Sequence, residues 1–173
     1  MDIEGLIRDG RHRDAVTELS REHSKAIGRL CMALLASQSE AEEAVQETLL
    51  AAYKGMAGYR GEGTIRAWVY TIARRQCARR LERRSKRAQL SLVPESDQGP
   101  AAELSARQRA TQVRDALSVL KPSEREAVVL RYLSQLDYSE ISQVLGVAEP
   151  TVRKRVSRGL VALRGVLGAQ ELS

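Results

Sequence analysis

Residues 146–159, GVAEPTVRKRVSRG, set four basic side chains, Arg153, Lys154, Arg155 and Arg158, within six positions, shortly after a glycine and a proline. Charge alone does not separate a helix that reads DNA from a solvated surface helix. The neighbours decide. Upstream, YSEISQVL (138–145) has the spacing of a short helix, with Asp137 and Glu140 placed as a capping box at its start. Gly146 is a natural left-handed terminator for that helix. Pro150 then fits the first turn of a second helix, where its missing N–H costs nothing. Val152, Val156, Gly159 and Leu163 recur at helical spacing and define one buried face, which forces the four basic residues onto the remaining arc. Helix, glycine turn and basic-faced helix predict a helix-turn-helix, whose second helix enters the major groove of DNA. The plainer reading is two antiparallel helices with a merely wet charged face. Such a face usually alternates charge sign, whereas no acid interrupts residues 151–164.

The charge distribution points to a second surface of the same kind. Residues 60–87 carry a net +8 and residues 151–164 a net +5, which leaves −7 for the rest of a 173-residue chain whose total is +6. Two basic islands on an acidic background suit two contacts with a polyanion. Within the first island, Arg74, Arg75, Arg79, Arg80, Arg83 and Arg84 read as one dense positive stripe that repels itself without a polyanion. The chain is poor in aromatics and lacks Phe, and its four prolines with frequent Ala, Leu, Arg and Glu favour helix over sheet. No apolar run approaches the roughly 20 residues that span a bilayer, and the N-terminus lacks a signal-peptide layout, so the expectation is a cytoplasmic protein without membrane insertion. Cys31 and Cys77 read as small buried side chains; a disulfide is the other option, and no metal-ligand spacing exists.

The whole chain reads as all-α: two small helical domains joined by a flexible linker. Apolar stripes run through Leu19, Ala26, Ile27, Leu30, Cys31, Leu34 and Leu35, then through Ala44, Val45, Thr48, Leu49, Ala52 and Tyr53 after a Ser37/Glu40 capping box. GMAGYRGEGT (55–64), with four glycines, predicts a loop. Ile65, Trp68, Val69, Ile72 and Ala73 begin a third stripe, in which the spacing makes Trp68 a core residue rather than a stacking platform. Residues 89–108 read as the linker between a first domain, 1–88, and a second, 109–173. In the second, Ser123 and Glu126 form a further capping-box pattern ahead of AVVLRYL (127–133).

SQSEAEEAVQETLLAAYKGMAGYRGEGTIRAWVYTIARR (37–75) resembles region 2 of the extracytoplasmic-function (ECF) group of bacterial sigma-70 family sigma factors. LSVLKPSEREAVVLRYLSQLDYSEISQVLGVAEPTVRKRVSRGLVALR (117–164) resembles their region 4. The resemblance implies that Glu42, Glu43, Gln46, Glu47 and Leu50 bind the polymerase core, whose β′ and β subunits are the expected partners. It implies that Arg60, Gly61, Glu62, Gly63 and Thr64, with Arg74, Arg75, Arg79 and Arg80, engage the −10 element, where an extruded base is held and arginines meet phosphates. Thr151, Arg153, Lys154, Arg155 and Arg158 fall to the −35 duplex. An anti-sigma factor is a further implied partner, and neither cofactor nor metal is expected. The chain departs from the usual pattern at Arg75, where relatives commonly have Asn, at Ala148 and Pro150, where Ser and Gly are frequent, and at Leu160, an apolar residue in a frequently basic place.

Two functions compete at this level. A promoter-specificity subunit of RNA polymerase accounts for both islands and for AEEAVQETLL (41–50). A stand-alone helix-turn-helix regulator accounts only for residues 110–173. An enzyme has no support: His12 and His23 are the sole histidines, and neither a phosphate loop nor a nucleophile constellation is present.

Overall fold

Each stripe becomes a helix in the computed structural model, which describes residues 2–90 and 104–171. Helix α1, Ile3–Arg8, has no counterpart among the sequence expectations; it buries Ile3, Leu6 and Ile7. Helix α2, His12–Leu35, buries Leu19, Ile27, Leu30, Cys31, Leu34 and Leu35, and ends at Ala36 in the left-handed region. Ser37 caps α3, Gln38–Gly55, by accepting a hydrogen bond from the Glu40 N–H at 3.3 Å. The small residues Ala41, Ala44, Thr48 and Ala52 form the buried face of α3 and let it lie close on α2. A single 3-10 turn, Met56–Gly58, leads into the glycine loop, and α4 runs from Ile65 to Leu90. Cys31 of α2 and Cys77 of α4 are free and fully buried in the core.

The second lobe comprises α5, Leu104–Ser118, α6, Pro122–Val128, α7, Tyr138–Leu145, and α8, Glu149–Glu171. A wider π-type turn, Val129–Leu133, extends α6. The capping box at α7 is complete: Asp137 Oδ1 accepts from the Glu140 N–H at 2.8 Å, and Glu140 Oε2 accepts from the Asp137 N–H at 3.0 Å. The expected Ser123/Glu126 box is absent. Proline at the first helical position starts α6 one residue earlier, with Lys121 at the cap and no side-chain bond there, and Glu126 is engaged elsewhere. Of the expected linker, residues 89–90 belong to α4 and 104–108 to α5, while 91–103 lie outside the described residues. No strand occurs among the described residues.

The lobes pack on one another. Helix α7 lies on α4, the π-type turn lies on α2, and a continuous apolar core joins Val69, Tyr70 and Ala73 of α4 to Ile141 and Val144 of α7. Polar contacts reinforce the seam, and several of them involve residues that the sequence assigns to function.

Candidate promoter and polymerase interfaces

Helix α8 presents its charge as the sequence predicts. Val152 and Val156 are buried, and Gly159 sits so close to α6 that a Cβ there would lie 2.6 Å from Val128 Cγ2. Thr151, Arg153, Lys154 and Arg158 are exposed and Arg155 half-buried, with no ion pair to Lys154, Arg155 or Arg158 among the described residues. Arg153 differs. Its guanidinium stacks on the Tyr138 ring, 4.1 Å from the centroid, while Arg131 covers the same ring at 4.8 Å. Each such contact contributes about 0.5–1 kcal/mol at exposed sites. Tyr138 thus joins the basic face of the second lobe, and its place at the first position of the capped helix was the available signal. Leu160 lines a cavity of about 180 Å³ with Tyr132, Tyr138 and Val161.

In the glycine loop, Arg60, Gly61 and Glu62 are exposed. Gly61 and Gly63 have φ of 71° and 80°, a backbone region costly for residues with a Cβ. Gly63 also backs onto the Gln143 side chain of α7, where a Cβ would collide. Thr64 Oγ1 accepts from the Ala67 N–H at 3.0 Å, capping α4, and donates to Glu140 Oε1 at 2.9 Å. Glu140 therefore serves its own helix with one oxygen and the loop with the other. Next to it, Arg66 donates to the Ser134 carbonyl at 2.7 Å. Trp68 is part of the core, packed against Tyr59 with centroids 5.1 Å apart. Tyr59 donates to Glu4, and burial together with that carboxylate pushes its pKa up to about 12.

The arginine stripe of α4 divides. Arg75, Arg79 and Arg83, spaced four apart, are exposed and have no acidic partner among the described residues. Arg74 turns to the second lobe and donates to both Glu126 oxygens, at 3.0 and 3.2 Å. Arg84 donates to the Leu35 carbonyl and to Glu40 of α3. Arg80 is 8% exposed and forks onto Glu43 at 2.9 Å and Glu47 at 2.8 Å. The expectation of one dense stripe facing a polyanion is therefore corrected at three positions: carboxylates on α3 and α6 face α4, Arg80 and Arg84 are taken up in packing within the first lobe, and Arg74 is paired across the lobe seam.

On α3, Glu42, Glu43 and Gln46 are exposed, Glu47 is partly so, and Leu50 is 54% exposed. They form one acidic and amide-bearing face with an apolar end, opposite the small-residue face that packs on α2 and α4. No helix among the described residues is long and apolar enough to cross a membrane, and no group of three His, Cys, Asp or Glu side chains could hold a metal ion there.

An acidic helix face, a glycine loop beside a basic helix and a helix-turn-helix on a separate lobe define a promoter-recognition protein built to work with a partner. Family models agree: residues 19–87 match sigma-70 region 2 and residues 110–163 match sigma-70 region 4. The chain is 31% identical over 157 residues to the ECF RNA polymerase sigma factor SigM of Mycobacterium tuberculosis, covering 90% of this chain and 79% of that one. It is 32% identical over 156 residues to SigE of Mycolicibacterium smegmatis, covering 87% of this chain and spanning 60% of that relative's length. The structure of CnrH in complex with the cytosolic domain of CnrY superposes with a TM-score of 0.78 at 21% identity, covering 97% of this chain and 99% of that one, a likeness of fold. The chain belongs to the ECF group of sigma-70 family RNA polymerase sigma factors. The region 2 match favours a sigma factor over the stand-alone regulator, which left the first lobe without a task.

Proposed function

We propose that the chain is a non-catalytic promoter-specificity subunit, acting in the cytoplasm, whose three faces act in sequence. The α3 face, Glu42, Glu43, Gln46, Glu47 and Leu50, docks on a basic surface of the polymerase core formed by β′, with β meeting the second lobe. The loop from Arg60 to Thr64 and the outward row Arg75 and Arg79 hold the melted −10 strand, the glycines letting an extruded base approach the backbone and the arginines meeting phosphates. Thr151, Arg153, Lys154, Arg155 and Arg158 contact the −35 duplex, with bidentate arginine–guanine pairs discriminating by roughly 1–3 kcal/mol each. The observation that carries this reading is the pair of outward basic surfaces, one per lobe, beside an acidic α3 face of opposite character.

The lobe seam adds a condition. Thr64 and Arg74 of the −10 set are held by Glu140 and Glu126 of the second lobe, so the −10 surface is complete only when the lobes part, although Arg60, Gly61, Glu62, Arg75 and Arg79 are already exposed. Core binding is the natural occasion for parting. CnrH was solved with the cytosolic domain of CnrY, and an anti-sigma partner for this chain would act by covering the same acidic and basic faces. Reconstitution with purified core on a pool of promoter fragments tests the reading. Core-dependent initiation from fragments sharing paired −35 and −10 elements supports it. Tight binding to duplex DNA with no binding to core refutes it.

A further inference from the structure

We propose that Arg80 is a positioning residue for core binding: a buried guanidinium beneath α3 that holds Glu43 and Glu47 side by side for a basic partner. This rests on the assignment of the α3 face to the polymerase core, and it gives a new role to an arginine that charge pattern alone sends to DNA. Glu43 and Glu47 are one helical turn apart, and like charges at that spacing repel. Arg80 sits between and below them, with one terminal nitrogen on each carboxylate. The contacts use Oε2 of Glu43 and Oε1 of Glu47, which leaves the second oxygen of each free to accept from a partner. Both carboxylates remain open, with side chains 63% and 42% exposed, while the guanidinium is 8% exposed.

Arg80 makes no other ion pair among the described residues. On α4 it continues the buried row of Ala73 and Cys77, and its Nε lies buried without a partner among the described residues. Burial works against its charge, yet the hydrogen bonds it donates to Glu43 and Glu47 outweigh that and hold its pKa above the ordinary value. Arg84, one turn on, offers a contrast: it ties Glu40 at the start of α3 to the Leu35 carbonyl at the end of α2 and so fastens the corner between them. Arg80 instead grips the middle of the acidic face. Two flexible side chains that a partner would otherwise have to immobilise are already fixed in the free protein, which is the logic of preorganised binding. Lysine, a single point charge, cannot reproduce the two-pronged grip.

The test is a mutant cycle on the full-length chain, reading affinity for purified polymerase core, with circular dichroism melts on every variant. Arg80→Gln should weaken core binding about tenfold, the scale set by freeing one or two rotamer-rich side chains, and Arg80→Lys should fall between it and the parent. Glu43→Ala/Glu47→Ala should also weaken binding, and adding Arg80→Gln to that pair should cost nothing more, since the groups it positions are gone. An equal loss in both backgrounds, or no loss from Arg80→Gln alone, overturns the proposal in favour of simple helix fastening. If the double alanine variant itself binds core normally, the α3 assignment fails and the positioning role falls with it. Should Arg80→Gln fail to fold, Arg80→Lys in the same two backgrounds supplies the cycle.

Discussion

Reversing the charge at Glu126 should part the lobes. The Arg74–Glu126 pair spans 52 residues of sequence and is bidentate, with side chains 32% and 22% exposed. Exposed pairs contribute about 0.2–1 kcal/mol, and hydrogen bonds to charged groups about 1.5–3 kcal/mol. A partly screened bidentate pair lies between, so Glu126→Gln should cost the packed form about 1.5 kcal/mol, close to a tenfold shift toward parted lobes. Glu126→Arg sets two guanidiniums across the same gap and should shift it further. The effect should shrink as salt rises from 0.1 to 1 M, because the screening length falls from about 10 to about 3 Å.

Spin labels on Ala57→Cys and Asp115→Cys, one position per lobe, would report the distance distribution, since native Cys31 and Cys77 are fully buried and escape labelling. Glu126→Arg should broaden and lengthen the distribution and raise the affinity of the free chain for single-stranded −10 DNA, because Arg74 and the loop are released together. An unchanged distribution in Glu126→Arg would refute the argument. It would mean that the apolar seam of Val69, Tyr70, Ile141 and Val144 holds the lobes without help from charge.

Two further outcomes follow from local geometry. Burial, joined by Arg66 and opposed by Glu22, holds the His23 pKa below its ordinary value of 6.5; the folded state resists a proton that the unfolded chain accepts, so stability should fall as pH drops from about 6.5 through the lowered folded value. Denaturant melts should show a shallower decline over that window for His23→Gln, and an identical slope would contradict the cause given. Gly159→Ala should destabilise the second lobe by roughly 1–2 kcal/mol in thermal melts, because overpacking against Val128 exceeds the helix-propensity gain of about 1 kcal/mol; a stabilised variant would show that α6 yields freely.

The helix-turn-helix was legible because every signal in it is local. The Asp137/Glu140 box, the left-handed Gly146 and the Val152/Val156 face act within one turn or one helix, and all appear as expected. The Ser123/Glu126 box failed for the opposite reason. Glu126 is drawn to Arg74 across the lobe seam, and no local pattern contains that competitor. Helix α1 was missed because its six residues bury only three apolar side chains, too short a run for periodicity to register.

The arginines of α4 mark the limit between these cases. Their charges are identical in sequence, and spacing alone joins them into one stripe. Phase on the helix separates them: Arg80 and Arg84 continue the row of Ala73 and Cys77, which faces α2 and α3, while Arg75, Arg79 and Arg83 occupy the outer row. The apolar stripe of Val69 and Ala73, extended past Cys77 at the same helical period, puts Arg80 on the buried side by spacing alone. What spacing does not contain is the reason a charge is tolerated there, since Glu43 and Glu47 lie on another helix. A buried arginine is costly unless paired. Its presence at the inner face of α4 therefore implies acids on the neighbouring helix, and Glu43 and Glu47, which meet it, belong to the α3 face proposed to dock on the polymerase.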